Sequence, residues 1–147
     1  MKVYIASSWR HEHGVTLLTQ SLRALGFEVI SWIENSYGEG HGPNAVNFEE
    51  WMKTPGAQRA FDFGSTGDRL CDLFIYYGPA GKDAAAEAGI AYASRVTGNT
   101  PVWMWGLHAK GEDFGLMRKM FNQWFFNTTD LLRAAQELVR SPQPVEP

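Results

Sequence analysis

The feature that most constrains this chain is a regular alternation of short apolar runs with longer stretches of helical spacing. Residues 2–6, Lys-Val-Tyr-Ile-Ala, predict a buried strand ending in the polar pair Ser7 and Ser8. Over residues 11–25 the apolar positions Val15, Leu18, Leu22 and Leu25 recur at helical spacing, and Gly26 stops the helix. Residues 27–33 predict a second strand. Two strands joined by one helix form a βαβ unit, whose strands lie parallel. The alternation continues with a short helix over 48–53 and a longer one over 57–70, weakened by Gly64 and Gly67. Residues 72–77 predict a strand buried on both faces, followed by an Ala-rich helix over 83–96 and a strand over 101–105. A helical segment over 116–121, a fifth strand over 124–126 and an amphipathic helix over 129–140 complete the pattern. The prediction is an α/β protein: a three-layer flavodoxin-like (Rossmann-like) fold with a parallel five-stranded sheet in the order 2-1-3-4-5. Residues 1–140 form one domain, and the Pro-rich residues 141–147 are expected to be a disordered tail.

Composition narrows the class of function. With 44% hydrophobic and 20% charged residues, the chain is neither a disordered segment nor a membrane protein. No apolar run approaches the ~20 residues that span a bilayer, and Ser7 and Ser8 come too early for a targeting segment. Cys71 is the only cysteine, which excludes an intrachain disulfide and favours a reducing cytoplasm. A net charge of −3 argues against nucleic acid and for a small-molecule or protein partner. Six Trp, five Tyr and nine Phe exceed what so small a core needs, so some face a ligand or a second subunit.

In the predicted sheet, ligands bind beyond the carboxyl ends of the strands. Three segments meet there: residues 7–10, residues 78–87 and the Gly-rich loop over 34–47, whose length marks it as a binding loop. The stretch Gly-Pro-Ala-Gly-Lys-Asp-Ala-Ala-Ala-Glu from Gly78 is not a phosphate-binding P-loop. Its glycines are too close, and Asp83 stands where Ser or Thr follows the Lys. The turn at Gly78 and Gly81 instead delivers Asp83 to a helix start and Glu87 to the same face one turn later. Small alanines around Glu87 leave it approachable, and the positive helix end is expected to keep it ionised. Such a carboxylate suits attack on the anomeric carbon of a sugar, where the transition state is positive. Equally, Asp83 as an N-cap and Glu87 as a dipole partner account for the pattern.

Ser7, Ser8 and Arg10 at a helix start suit a phosphate or carboxylate, and Trp9 suits a planar base; a solvated loop capped by Ser8 explains them as well. No metal is expected. His11 and His13 are two apart on a helix and point to different faces, while His41 and His108 are isolated in loops. Cys71 reads as a small core residue; Asp62 and Asp68 read first as surface carboxylates, with the alternative that one of them reaches the site from its helix.

Several segments together resemble the nucleoside 2-deoxyribosyltransferase-like family, above all its bacterial and phage branch. They are Lys-Val-Tyr-Ile-Ala-Ser-Ser-Trp-Arg from Lys2, Leu-Arg-x-Leu-Gly-Phe-Glu-Val-Ile from Leu22, and Cys-Asp-Leu-Phe-Ile from Cys71. Gly-Lys-Asp-Ala-Ala-Ala-Glu-Ala-Gly-Ile-Ala from Gly81 and Leu-Met-x-Lys-Met from Leu116 complete the likeness, which runs from residue 2 to about residue 139. The resemblance implies cleavage of an N-glycosidic bond of a (deoxy)nucleoside or nucleotide by a glutamate nucleophile, with hydrolysis or base exchange and no cofactor. By position it makes Glu87 the nucleophile, Tyr4 the residue orienting it, Trp9 the base contact and Met117 a contributor to a neighbouring subunit's site. A homodimer or higher homo-oligomer follows. The chain departs from the family where Gly64 and Gly81 replace aspartates and Gly115 replaces an amide, and Asp83 or Asp62 stand as substitutes. A catalytically silent nucleotide-binding module and a NAD-cleaving relative are the alternative readings.

Overall fold

A computed structural model describes residues 1–36, 47–98 and 103–141. Its sheet contains β1 (Lys2–Ala6), β2 (Glu28–Ile30), β3 (Leu73–Tyr77), β4 (Trp103–Leu107) and β5 (Gln123–Phe125). All pairings are parallel and the order is β2-β1-β3-β4-β5, as the alternation predicts. Helices α1 (Glu12–Ala24), α2 (Trp32–Ser36), α3 (Phe48–Met52), α4 (Pro55–Leu70), α5 (Lys82–Gly98) and α6 (Thr128–Arg140) connect and cover it.

Register assigns the two faces. Val3, Leu73 and Trp103 stand side by side, as do Ile5, Ile75 and Trp105, and all six pack with Val15, Leu18 and Leu22 of α1 and Leu131, Ala135 and Leu138 of α6. The alternate residues Tyr4, Phe74 and Met104 point to the opposite face, against Ala84, Ala88 and Ala91 of α5. Strand alternation thus divides one sheet into two chemically different surfaces.

Several boundaries differ from the sequence reading. The second strand pairs only from Glu28 to Ile30; Ser31 Oγ then accepts from the Glu34 amide at 3.2 Å and starts α2. Residues 34–36 are therefore helical rather than loop, while 37–46, the rest of the expected loop, lie outside the described residues. The tail over 142–147 and strand positions 101–102 lie outside them too. The expected helix over 116–121 is instead a 3₁₀ segment, Gly111–Met120, kinked where Gly115 has φ 60°. No helix among the described residues is long and apolar enough to cross a membrane.

Candidate active site

On the α4–α5 side of the sheet lies a cavity of about 850 Å³, within the range of small-molecule sites. Its innermost wall is made of oxygen-bearing groups. Tyr4, 1% exposed at the centre of β1, donates its hydroxyl to Glu87 Oε1 across 3.4 Å. Gly64 of α4 backs this pair: a Cβ there would lie 3.1 Å from Glu87 Oε1 and 3.2 Å from Tyr4 Oη. One residue before Asp68, Gly67 lets the helix rest on the tyrosine ring, since a Cβ there would meet Tyr4 Cδ2 at 2.6 Å. The two glycines read from sequence as helix weaknesses are thus the points where α4 approaches the site.

Asp68 overturns the surface reading. It is 0% exposed, lines the cavity, and neither carboxyl oxygen has a hydrogen-bond partner among the described residues. Burial, then the neighbouring Glu87 carboxylate, pushes it up to about 9, so it is neutral at pH 7. Glu87 is half-buried and pushed up to about 7, first by burial and then by the charge of Asp83, against the downward pull of the Tyr4 hydroxyl. Desolvation thus overrides the helix-start effect expected to keep Glu87 fully ionised. Burial and the Glu87 charge hold the Tyr4 phenol well above its usual range, so it remains a donor. Between the two carboxyls, the first negative charge appears on Glu87.

The outer wall is aromatic. Trp9 and Trp32 meet edge to face with centroids 4.8 Å apart, and the Trp32 ring is fixed by its Nε1 donating to the Ile5 carbonyl at 2.7 Å. Phe48 and Trp51 of α3 and Phe61 and Phe63 of α4 extend this wall. The sequence reading placed none of these aromatic residues in the site, although the excess of aromatic residues pointed to some such surface.

Of the predicted site residues, Tyr4, Ser7, Trp9, Asp83 and Glu87 line the cavity. Ser7 Oγ donates to the Tyr77 carbonyl at 2.8 Å, tying the end of β1 to β3. Ser8, Arg10, Gly78, Gly81 and Met117 are not among its lining residues. Ser8 caps the 3₁₀ turn Trp9–His11, accepting from the Arg10 amide at 3.4 Å, and Arg10 donates to the Pro79 carbonyl at 2.8 Å. The Gly78 amide donates to the Leu107 carbonyl at 2.9 Å, and the Gly81 carbonyl accepts from Ala85 at the start of α5. Met117 is 59% exposed on the 3₁₀ segment. Asp62 is exposed and accepts from Gln58, so it does not replace the carboxylate absent at Gly64.

No family model matches the chain, and no curated protein matches it. Solved structures do. The chain is similar to a 2-deoxyribosyltransferase from the psychrotolerant bacterium Bacillus psychrosaccharolyticus, with TM-score 0.66 and 22% identity over 90% of each chain. It is also similar to the CMP N-glycosidase of Clostridium botulinum, with TM-score 0.57 and 19% identity over 91% of this chain and 96% of that one. The protein has the nucleoside 2-deoxyribosyltransferase-like fold.

Proposed function

We propose that the protein belongs to the nucleoside 2-deoxyribosyltransferase-like family and cleaves the N-glycosidic bond of a nucleoside or nucleotide, with Glu87 as nucleophile. The observation that carries this reading is the Tyr4–Glu87 pair at the inner wall of a cavity whose outer wall is aromatic. A Glu87 oxygen forms a bond to C1′ as the C1′–N bond breaks, and the electron pair leaves with the base, which takes up a proton. Water or a second base then attacks C1′ and releases Glu87. Tyr4 holds the attacking oxygen. Trp9 stacks on the base, and the exposed Asp83, at the rim, protonates the base or positions the sugar. The glycines at positions 64, 81 and 115 favour hydrolysis over transfer.

Support also comes from the two structural neighbours, one named as a 2-deoxyribosyltransferase and the other as a CMP N-glycosidase. The test is chromatographic detection of free base after incubation with nucleosides, nucleotides and NAD, for the parent and for Glu87→Gln. Base release by the parent and none by the variant supports the proposal; equal release removes Glu87 from the chemistry. Binding without release points to a silent module, and release of nicotinamide alone to a NAD-cleaving enzyme. A homo-oligomer belongs to the same reading, with Leu116 and Met117 as exposed apolar contacts, and a 16.5 kDa monomer in sedimentation at micromolar concentration would overturn it.

A further inference from the structure

A polar side chain that is fully buried and unpartnered needs a physical explanation, because leaving a buried donor or acceptor unsatisfied costs ~1–3 kcal/mol. Asp68 is such a side chain: it is 0% exposed, both oxygens are unpaired among the described residues, and it lines the cavity. Its titratable neighbours are Glu87 on α5, Tyr4 on β1 and Cys71 just past α4, and none brings a positive charge. A carboxyl group so placed keeps its proton, because ionising it would set a second bare charge beside Glu87. A neutral carboxyl group has one O–H donor and one carbonyl acceptor, the complement of a hydroxyl group.

Burial within the cavity orders its chemistry. Tyr4 and Asp68 are fully buried and Glu87 is half-buried, whereas Phe48, Met52 and Phe61 on the outer wall are 51%, 53% and 65% exposed. The inner end therefore offers carboxyl and hydroxyl oxygens, whereas Arg59, the basic residue lining the cavity, is exposed on α4 with the outer-wall residues, so a ligand anion at the inner end would face Glu87. Because Gly64 has no side chain, α4 comes close behind Glu87 Oε1 and Tyr4 Oη and holds this inner end in place.

We propose that Asp68 is a specificity-determining residue that binds a hydroxyl group of the ligand as a neutral acid, donating one hydrogen bond and accepting another. The inner end of the ligand is accordingly uncharged and hydroxylated, and any phosphate lies toward the aromatic mouth. This rests on the glycosidic reading for the identity of the ligand, but the state of Asp68 does not.

Two measurements test it on the full chain. Infrared spectroscopy at pH 7 should show the carbonyl stretch of a protonated carboxyl in Glu87→Gln, where only Asp68 of the pair can carry it, and lose it in the double variant Glu87→Gln/Asp68→Asn. Calorimetric binding should then compare each common nucleoside with its 2′-, 3′- and 5′-deoxy analogues. In the parent, removing one particular hydroxyl should weaken binding about tenfold or more. Asp68→Asn, whose amide also donates and accepts, should retain that discrimination, and Asp68→Leu should abolish it. An absent infrared band overturns the proposal, as does unchanged discrimination in Asp68→Leu. Nucleosides that bind with no preference among their hydroxyls overturn it while sparing the glycosidic reading. A parent that binds neither nucleosides nor nucleotides overturns both the reading and the hydroxyl partner.

Discussion

The two faces of this sheet use the same strands to opposite ends. On the α1–α6 face, Val3, Ile5, Leu73, Ile75 and Trp105 are at most 2% exposed and meet branched aliphatic residues from both helices. On the α4–α5 face, the same strands present Tyr4, Phe74 and Tyr76 to alanines, glycines and a buried aspartic acid. The first face is built mainly of groups that gain from leaving water, with the Trp105 Nε1–H buried and unpaired among the described residues as its polar exception. The second has exchanged part of that gain for two carboxyl groups raised by burial, a buried phenol and room for a ligand. One face stabilises the fold, and the other spends stability to hold the site.

A pair of substitutions at the two faces should break in opposite directions. Glu87→Gln preserves shape and removes the anion, so turnover on any substrate found should fall by roughly 10³-fold or more while ligand binding changes little. Leu22→Ala, in the fully buried centre of the other face, should cost about 2–5 kcal/mol in stability and leave any turnover of the folded protein unchanged. Melting temperature and turnover measured on both variants are sufficient. A Leu22→Ala variant that stays folded yet loses any activity found in the parent would end the division of labour between the faces.

Next in size is Gly67→Ala. On helix propensity alone it should stabilise α4 by about 1 kcal/mol. The new methyl group, however, would stand 2.6 Å from Cδ2 of the buried Tyr4 ring, and that ring is pinned in the middle of β1. Overpacking of this kind costs about 1–3 kcal/mol, so the net effect should be destabilising, with turnover falling as the Tyr4–Glu87 contact shifts. Chemical denaturation giving a gain in stability would show that the site face is looser than its geometry.

How much of this was legible in the sequence follows the same division. Apolar runs and helical spacing carried the sheet order and the α1–α6 face, because hydrophobic burial is written directly into periodicity. Tyr4 and Glu87 came from the resemblance together with the small residues around Glu87. Asp68 was misread because charged residues are seldom fully buried, a prior that fails at sites. A signal was present: Gly64, Gly67 and Asp68 lie on one face of α4, and paired glycines in a helix imply close approach of another element. The ionisation of Glu87 was misjudged for a related reason, since sequence shows a helix start but not the depth at which a side chain ends.

The pH dependence of stability should also separate the faces. Asp68 is raised from 3.8 to about 9 and Glu87 from 4.5 to about 7, so between those limits the folded state retains protons that the unfolded state has lost. The stability these groups contribute is fully present below about pH 4 and is lost as pH rises through the window. From pH 7 to pH 9 the loss is mostly due to Asp68, because Glu87 is already about half ionised at pH 7 and gives up the rest of its proton early in that interval. Asp68→Asn should therefore flatten the decline in melting temperature over that interval by several degrees. Parallel curves for parent and variant would mean that Asp68 is already ionised in the fold.

The smallest effect should come from Arg10→Ala, and its smallness is informative. The sequence placed Ser8 and Arg10 where a phosphate would sit, yet both are occupied by the backbone: Ser8 caps the 3₁₀ turn and Arg10 reaches the Pro79 carbonyl. His11 Nε2 meets the same carbonyl at 2.6 Å, so that acceptor keeps a partner when the guanidinium is removed. Arg10 is exposed, and the loss of such a contact should cost at most ~0.5 kcal/mol. Neither a nucleoside nor its 5′-monophosphate should bind differently to the variant, since Arg10 does not line the cavity. A drop of about tenfold for the monophosphate alone, the loss of one charge-assisted hydrogen bond, would bring Arg10 back into the site. It would also mean that the ligand extends past the aromatic mouth toward the start of α1, on the edge of the sheet that the two faces share.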